Sequence, residues 1–419
     1  MEEEQLPEKE REREKSVGCF FRIEKRENEE NRALDVKYQF SNNDYTTLKY
    51  STVQYSTEQN RERMLEAKRV VKATVPSSLL PQPSPASIQP TRLALHVNHA
   101  NDSSCSAYFA TGCRVYKTQM SMEGESLVNR GKDNLLIPAH SEVIRSSVLE
   151  RCPHRSEIQS VALTEMPSKG FILGSVDSYG HLIVSELDAD DVQKLLFAVS
   201  PQDCGVGEGS WAGLSFSPSQ WCMVAVARSF PKCIDIYDQE ICLRNICTLL
   251  YPSSLTFVEN QFFGTESSIL AVTEGCQLTM WDLRMKENGG CLQRICGSPG
   301  NILYAASISS MGNIAVGGAD RSVTIYDPRK WSVLSRWNHC AKYEITGLEF
   351  SSIDPNYIYV QGVDHEVFCG QWSKRTKIFS FRGDSNWLGF TKCPNKDRDI
   401  LAGWCDSGSI FVTNIVNSS

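Results

Sequence analysis

From Thr91 onward the apolar positions of this chain come in strand-sized runs, and the runs recur. The unit is an apolar strand, a short loop, a second apolar strand, a tight turn with Asp or Gly, and a third strand. That third strand closes on an aromatic–acid pair or its substitute. ILAVTEGCQLTMWDLR, ending at Arg284, and NIAVGGADRSVTIYDPR, ending at Arg329, are the clearest copies. Others close at Asp238, Trp372, Ile415, Leu187 and, most weakly, Thr118. Short runs rich in β-branched residues and bounded by turn residues predict strands, not helices. Third-strand ends fall near Tyr116, Ser185, Tyr237, Trp281, Tyr326, Gln371 and Val412, with 44 residues from Tyr237 to Trp281 and 45 from there to Tyr326. This spacing fits a four-stranded blade of about 40–45 residues. Seven copies predict an all-β fold, a seven-bladed β-propeller spanning 91–419. The wider early spacings, 69 and 52 residues, imply inserted loops, chiefly within 117–150.

A single blade leaves two unpaired edges and a bare apolar face, so blades must stack in a ring whose last member meets the first. The chain stops at about the third strand of the seventh copy (IFVTNI), so that blade lacks its outer strand. A segment before Thr91, around Arg69–Val75 (RVVKATV), is expected to supply it. Residues 1–56 form a charged arm, with twelve acids and eight bases in the first 35 positions, and are expected to be mostly disordered. Residues 57–90 are expected to hold a short helix over Thr57–Ala73, capped by Ser56 or Thr57, and then a linker with five prolines between Pro76 and Pro90.

Composition narrows the function classes. The net charge of −7 argues against a general nucleic-acid binder. Short basic runs at Lys68, Arg69 and Lys72, and at Lys374, Arg375 and Lys377, read as solvated faces. No apolar run approaches the ~18–20 residues of a membrane span, and the charged N-terminus has no apolar leader core. A nuclear or cytoplasmic location is expected. In a reducing compartment the sixteen cysteines read as free, buried thiols, since none shows C-x-x-C spacing and Cys242/Cys247 and Cys291/Cys296 lie within strands.

The chain from about 91 to 416 resembles the WD40-repeat propellers. The resemblance rests on Trp281-Asp282, on Tyr237-Asp238 and Tyr326-Asp327 as variants, and on turn aspartates Asp177, Asp320, Asp364 and Asp406. In that family a turn Asp, a His ahead of the first strand and the third-strand Trp form a buried hydrogen-bonded set. The resemblance assigns His154 and His339 to the His position. No copy keeps the full set, and the first two lack the Trp-Asp end.

Catalytic signatures are missing: there is no P-loop, no H-E-x-x-H and no G-x-S-x-G. GVGEGSWAG, from Gly205, has no following helix to aim at a phosphate and reads as a loop between blades. His96 and His99 bracket a strand or loop, and His140, His181 and His365 are dispersed over loops and turns. Neither a metal nor a cofactor is expected, and the protein is read as no enzyme. One pattern exceeds fold. Trp281-Asp282-Leu283-Arg284 and Tyr326-Asp327-Pro328-Arg329 end consecutive copies, with Gly317, Gly318, Ala319 and Asp320 in one lead-in and Glu274 as the acid of the other. The pair resembles the double Asp-x-Arg box of WD40 substrate receptors of cullin-4 ubiquitin ligases, which implies a partner, the ligase's adaptor, at Arg284 and Arg329. The alternatives are an Arg serving only its own turn, a hub of another trafficking, chromatin or RNA-processing assembly, and, least of all, an enzyme on a propeller. No client is identifiable, since fold does not fix function.

Overall fold

In a computed structural model the described residues are 64–80, 88–97, 104–122, 129–150, 154–166, 170–187, 193–258, 268–393 and 397–418. The arm 1–56, the start of the expected helix, part of the linker and His99 lie outside them. The described residues form a seven-bladed β-propeller. Blades 1 to 6 are each a four-stranded antiparallel meander. Blade 1 uses Leu93–Val97, Ser104–Thr111, Arg114–Ser121 and Val143–Val148, and blade 2 runs from Ile158–Glu165 to Gln193–Val199. Blades 3 to 6 repeat the pattern with outer strands Ile241–Cys247, Cys291–Cys296, Ser332–Trp337 and Thr376–Arg382. Every third-strand position read from the repeat lies in a third strand, from Tyr116 in Arg114–Ser121 to Val412 in Ser409–Asn417.

The core is divided among the gaps between blades. Ala94, Tyr108 and Leu187 pack between blades 1 and 2, Ile172, Leu214 and Tyr237 between 2 and 3, and Trp211, Phe257 and Trp281 between 3 and 4. The series continues with Met280 and Ile314, then Ile325 and Phe350, then Tyr359 and Phe411. It ends where Trp404 meets Phe109 across the last gap, with ring centroids 4.3 Å apart. Seven blades therefore share seven apolar interfaces, the condition for a closed ring.

Closure comes from the N-terminal side. Leu65–Thr74 pairs antiparallel with Ser409–Asn417, from Leu65 opposite Asn417 to Thr74 opposite Ser409. The helix expected over 57–73 is thus corrected: from Leu65 on, this segment is a strand. Leu65, Ala67, Val70, Val71 and Ala73 are all buried to 3% or less exposure. A bulge between Ala67 and Arg69 shifts the alternation and lets Val70 and Val71 both face apolar neighbours.

The insert of blade 1 is also smaller than 117–150, because Arg114–Ser121 and Val143–Val148 belong to the sheet. What lies between them covers the closing strand. Ala139–His140 adds a parallel fifth strand beside Val71 and Lys72, Arg130 pairs with Glu66, and buried Leu136 joins the core between blades 6 and 7. No helix among the described residues is long and apolar enough to cross a membrane.

Candidate functional site

The two Asp-x-Arg boxes sit at the ends of the third strands of blades 4 and 5, Gln277–Asp282 and Val323–Asp327, and so on one rim of the ring. Their geometry is nearly superposable. Asp282 Oδ1 accepts the backbone N–H of Arg284 at 2.9 Å and its Nε at 3.1 Å, and Oδ2 accepts Nη2 at 3.0 Å. In blade 5 the same three bonds from Arg329 to Asp327 measure 3.0, 3.0 and 3.2 Å. The carboxylates are buried and the arginine side chains are 53% and 59% exposed. The paired arginine holds each carboxyl below the ordinary Asp range, against a burial effect that acts the other way. A guanidinium fixed through Nε and one Nη keeps its outer face toward solvent in a set orientation. Trp281 is buried in the core between blades 3 and 4, Tyr326 packs half-buried against the core between blades 4 and 5, and Trp281 Nε1 donates to Thr279 Oγ1 at 3.0 Å.

A clamp that the sequence reading missed steadies the blade 4 box. Arg244, on the outer strand of blade 3, donates through Nη1 to the carbonyls of Asp282 and Leu283 at 3.3 and 3.0 Å, and through Nη2 to Gly289. Beside it a recess of about 200 Å³ is lined by Met223, Leu243, Leu283 and Arg284. The box therefore offers a cation next to a shallow apolar seat.

The turn acids divide. In blade 2, Asp177 and His154 do meet: Nδ1 lies 3.4 Å from Oδ2, and Nε2 lies 2.8 Å from Ser175 Oγ, all buried. In blade 5 the expected partner is wrong. His339 has φ of 49° and swings out to Arg321, whereas Asp320 receives Arg336 Nη2 at 3.2 Å and the Ser322 N–H at 3.0 Å. Blade 4 repeats that solution: buried Glu274 takes Arg294 Nη1 at 2.9 Å and the N–H groups of Leu249 and Leu250 at 2.7 and 2.9 Å. An outer-strand arginine replaces the histidine, and the signal was an Arg 16 or 20 residues after the acid, at Arg336 or Arg294. Asp364 is half-buried, and Asp406 accepts Asn386 Nδ2 at 3.0 Å at the surface. His181 is not an isolated turn residue, because its ring lies 5.3 Å from that of His154.

First strands line a central channel of about 1200 Å³ with hydroxyls such as Ser254, Ser307 and Ser309, plus Glu349 and Lys392. Burial pushes the Glu349 carboxyl up to about 7, with Lys392 opposing and Asp399 adding to it. Asp399 itself is wholly buried and taken up by Ser351 Oγ at 2.5 Å, Tyr359 Oη at 2.7 Å and the Ser352 N–H at 3.0 Å. These bonds tie blade 6 to blade 7, a strut that no motif announced. Among the described cysteines, Cys105, Cys233, Cys340, Cys369 and Cys405 are buried thiols, but Cys113, Cys204, Cys242, Cys247 and Cys296 are exposed. The expectation of buried thiols holds for the first group only.

No family model matches the chain, and no curated protein matches its sequence. Among solved structures it is similar to that of Chaetomium thermophilum Raptor, with a TM-score of 0.59 and 12% identity over 85% of this chain. The match covers 29% of that protein, so this chain spans less than a third of its length. At such identity the likeness shows the propeller fold alone.

Proposed function

We propose that this protein is a non-catalytic propeller scaffold that binds a protein partner through the rim carrying Arg284 and Arg329, as a substrate receptor binds the adaptor of a cullin-4 ligase. The observation that supports this reading is the matched pair of boxes: two arginines on neighbouring blades, each held to one carboxylate by its backbone N–H and two guanidinium hydrogen bonds, and each with a side chain more than half exposed. An ordered cation loses little freedom when it meets a partner's carboxylate or carbonyl, and each charge-assisted bond contributes roughly 1.5–3 kcal/mol. The double variant Arg284→Ala/Arg329→Ala is expected to lose the adaptor in co-purification, with affinity down at least about 100-fold. Its melting temperature is expected to fall by only a few degrees, since each carboxylate keeps the backbone N–H of position 284 or 329 when the guanidinium is gone. Undiminished adaptor binding by the folded variant would reduce the boxes to turn fasteners.

A second reading has its own support. On the opposite rim Val206, Phe230, Leu249 and Tyr251 are 71, 48, 63 and 59% exposed, around the loops between blades 2 and 4. Lys232 lies over the Tyr251 ring, 4.6 Å from its centroid. Such a patch suits a protein partner of another assembly. Phe230→Ala/Tyr251→Ala would weaken that partner and leave adaptor binding alone.

A further inference from the structure

The outer strands of blades 3 and 4 carry exposed cysteines, and one of these has a second cysteine directly across the ladder. In blade 3 Cys233, at the start of the third strand, lies opposite Cys247, at the end of the outer strand Ile241–Cys247. The Thr248 N–H donates to the Lys232 carbonyl at 2.8 Å, joining the residues just outside the pair. Cys233 and Cys247 are therefore a non-hydrogen-bonded pair, the position at which antiparallel Cα atoms approach to ~4.5 Å. A disulfide spans Cα separations of ~4.4–6.8 Å, so the backbone already stands within its reach.

The two side chains also share a face. Two positions along, Asp235 lies opposite Asn245, and Asn245 Nδ2 donates to Asp235 Oδ1 at 2.6 Å. Alternation along both strands puts Cys233 and Cys247 on that same side, and the bulge of this ladder falls beyond them, between Ile236 and Tyr237. Cys247 Sγ lies 3.6 Å from Asn245 Oδ1 on that face. The other outer-strand cysteines lack such a neighbour: Cys242 is opposite Tyr237, Cys291 opposite Trp281 and Cys296 opposite Gln277. Among the described strands no other cysteine lies opposite a cysteine. The strand that such a bond would fasten is lightly held. Of its seven residues Ile246 alone is buried, yet it carries Arg244, the clamp on the blade 4 box.

We propose that Cys233 and Cys247 are a thiol–disulfide redox site, oxidised by a small disulfide such as glutathione disulfide, that reversibly fastens the outer strand of blade 3. The two thiols have different parts. Cys247 is exposed and meets the oxidant, whereas Cys233 is 5% exposed. Burial, and then the Asp235 charge, push the Cys233 thiol up to about 12, so Cys247 opens the reaction. Its thiolate attacks one sulfur of the glutathione disulfide, a protein–glutathione bond forms, and the first glutathione leaves as a thiolate. Cys233 then gives up its proton and attacks Cys247 Sγ, and the second glutathione leaves. Two protein thiols lose two electrons and two protons, and one glutathione disulfide becomes two glutathione thiols.

The test treats the purified, reduced full chain with glutathione disulfide, blocks remaining thiols and digests it without reduction. Trypsin with a glutamate-specific protease separates Cys233 from Cys242 by cutting at Glu240, and mass spectrometry reads the linked peptides. A Cys233–Cys247 peptide should appear, and dithiothreitol should remove it. Cys233→Ala removes the second attacking thiol, so Cys247 should keep its glutathione. Oxidation should raise the melting temperature of the wild type by several degrees, because the bond closes a short loop in the unfolded chain. Cys247→Ser, a change at an exposed position, should fold like the reduced wild type and show no such rise. A glutathione that stays on Cys247 in the wild type, a bond from Cys247 to any cysteine but Cys233, or an equal rise in Cys247→Ser overturns the site.

Discussion

Blades 4 and 7 each set a further strand beside an antiparallel three-stranded meander, yet the two added strands are held by opposite means. In blade 4 the outer strand, Cys291–Cys296, follows its neighbour by a short connection and is largely solvated, with no fully buried position. In blade 7 it is Leu65–Thr74, more than 300 residues away in sequence from its partner Ser409–Asn417, and five of its ten residues are buried. A nearby strand is kept in place by loop entropy, because the connection is too short to stray. A distant strand has no such help and must be retained by buried apolar area. The insert 122–142, with its strand Ala139–His140 against Val71 and Lys72, supplies the burial that an outermost strand otherwise lacks.

The sharpest way to break this contrast is to remove each outer strand's means of support. A chain beginning at Thr91 loses the closing strand and with it the burial of Leu65, Val70 and Val71. At roughly 1.5–3 kcal/mol for each such side chain, the loss rivals the whole stability of an ordinary domain, about 5–15 kcal/mol. Such a chain should fail to melt cooperatively, whereas one beginning at Ser51 should match the full chain by calorimetry. Equal melting of the two would mean that the ring closes without the strand. A smaller test compares one leucine in each strand. Leu65→Ala, at 1% exposure, should destabilise by about 3 kcal/mol. Leu292→Ala, at 37% exposure, should stay within about 0.5 kcal/mol in denaturant melts.

This contrast also marks what the sequence could disclose. The seven third strands were legible because each copy repeats the order of apolar run, turn and third strand, sharpest where an acid and a closing aromatic remain, as at Trp281 and Tyr326. The closing strand was partly hidden by its composition. LEAKRVVKAT is rich in residues that favour helices when solvated, and the bulge at Ala67–Arg69 breaks the period-two pattern that would have betrayed a strand. Pairing with residues near the other end of the chain overrides that local preference. At the rim, Arg284 and Arg329 could be found by spacing, and their matched bonds to Asp282 and Asp327 follow from it. The substitution of Arg336 for His339 could not be read the same way, because it depends on a positive φ that turns the histidine outward. Arg244 and the Asp399 strut escaped for a further reason: their partners sit on the neighbouring blade, and no motif within one repeat records them.

The ion pairs that pin the two strands extend the contrast to smaller energies. Arg294→Ala leaves the fully buried Glu274 carboxylate with only the Leu249 and Leu250 N–H groups. It should cost about 2–3 kcal/mol, slightly less than stranding a wholly unpaired buried charge.

Lys72, on the closing strand, pairs with Asp384 at 2.7 Å in a partly solvated setting with side chains 35% and 31% exposed. Lys72→Ala should therefore cost at most about 1 kcal/mol. Its signature is its pH dependence. Burial alone would raise the Asp384 carboxyl, but Lys72, Ser409 and Ser407 bring it down to about 2 from 3.8. A depressed carboxyl stabilises the fold above its unfolded value and loses that contribution as pH falls through the folded one. The gap in stability between wild type and Lys72→Ala should be full at pH 6, shrink below about pH 4 and vanish near pH 2, followed by urea melts along the series. A gap of constant size would mean that Lys72 acts through packing over the Phe411 ring, 5.8 Å from its centroid, and not through its charge. Lys72 would then join the apolar contacts that hold the closing strand, unlike Arg294, whose charge answers buried Glu274 in blade 4.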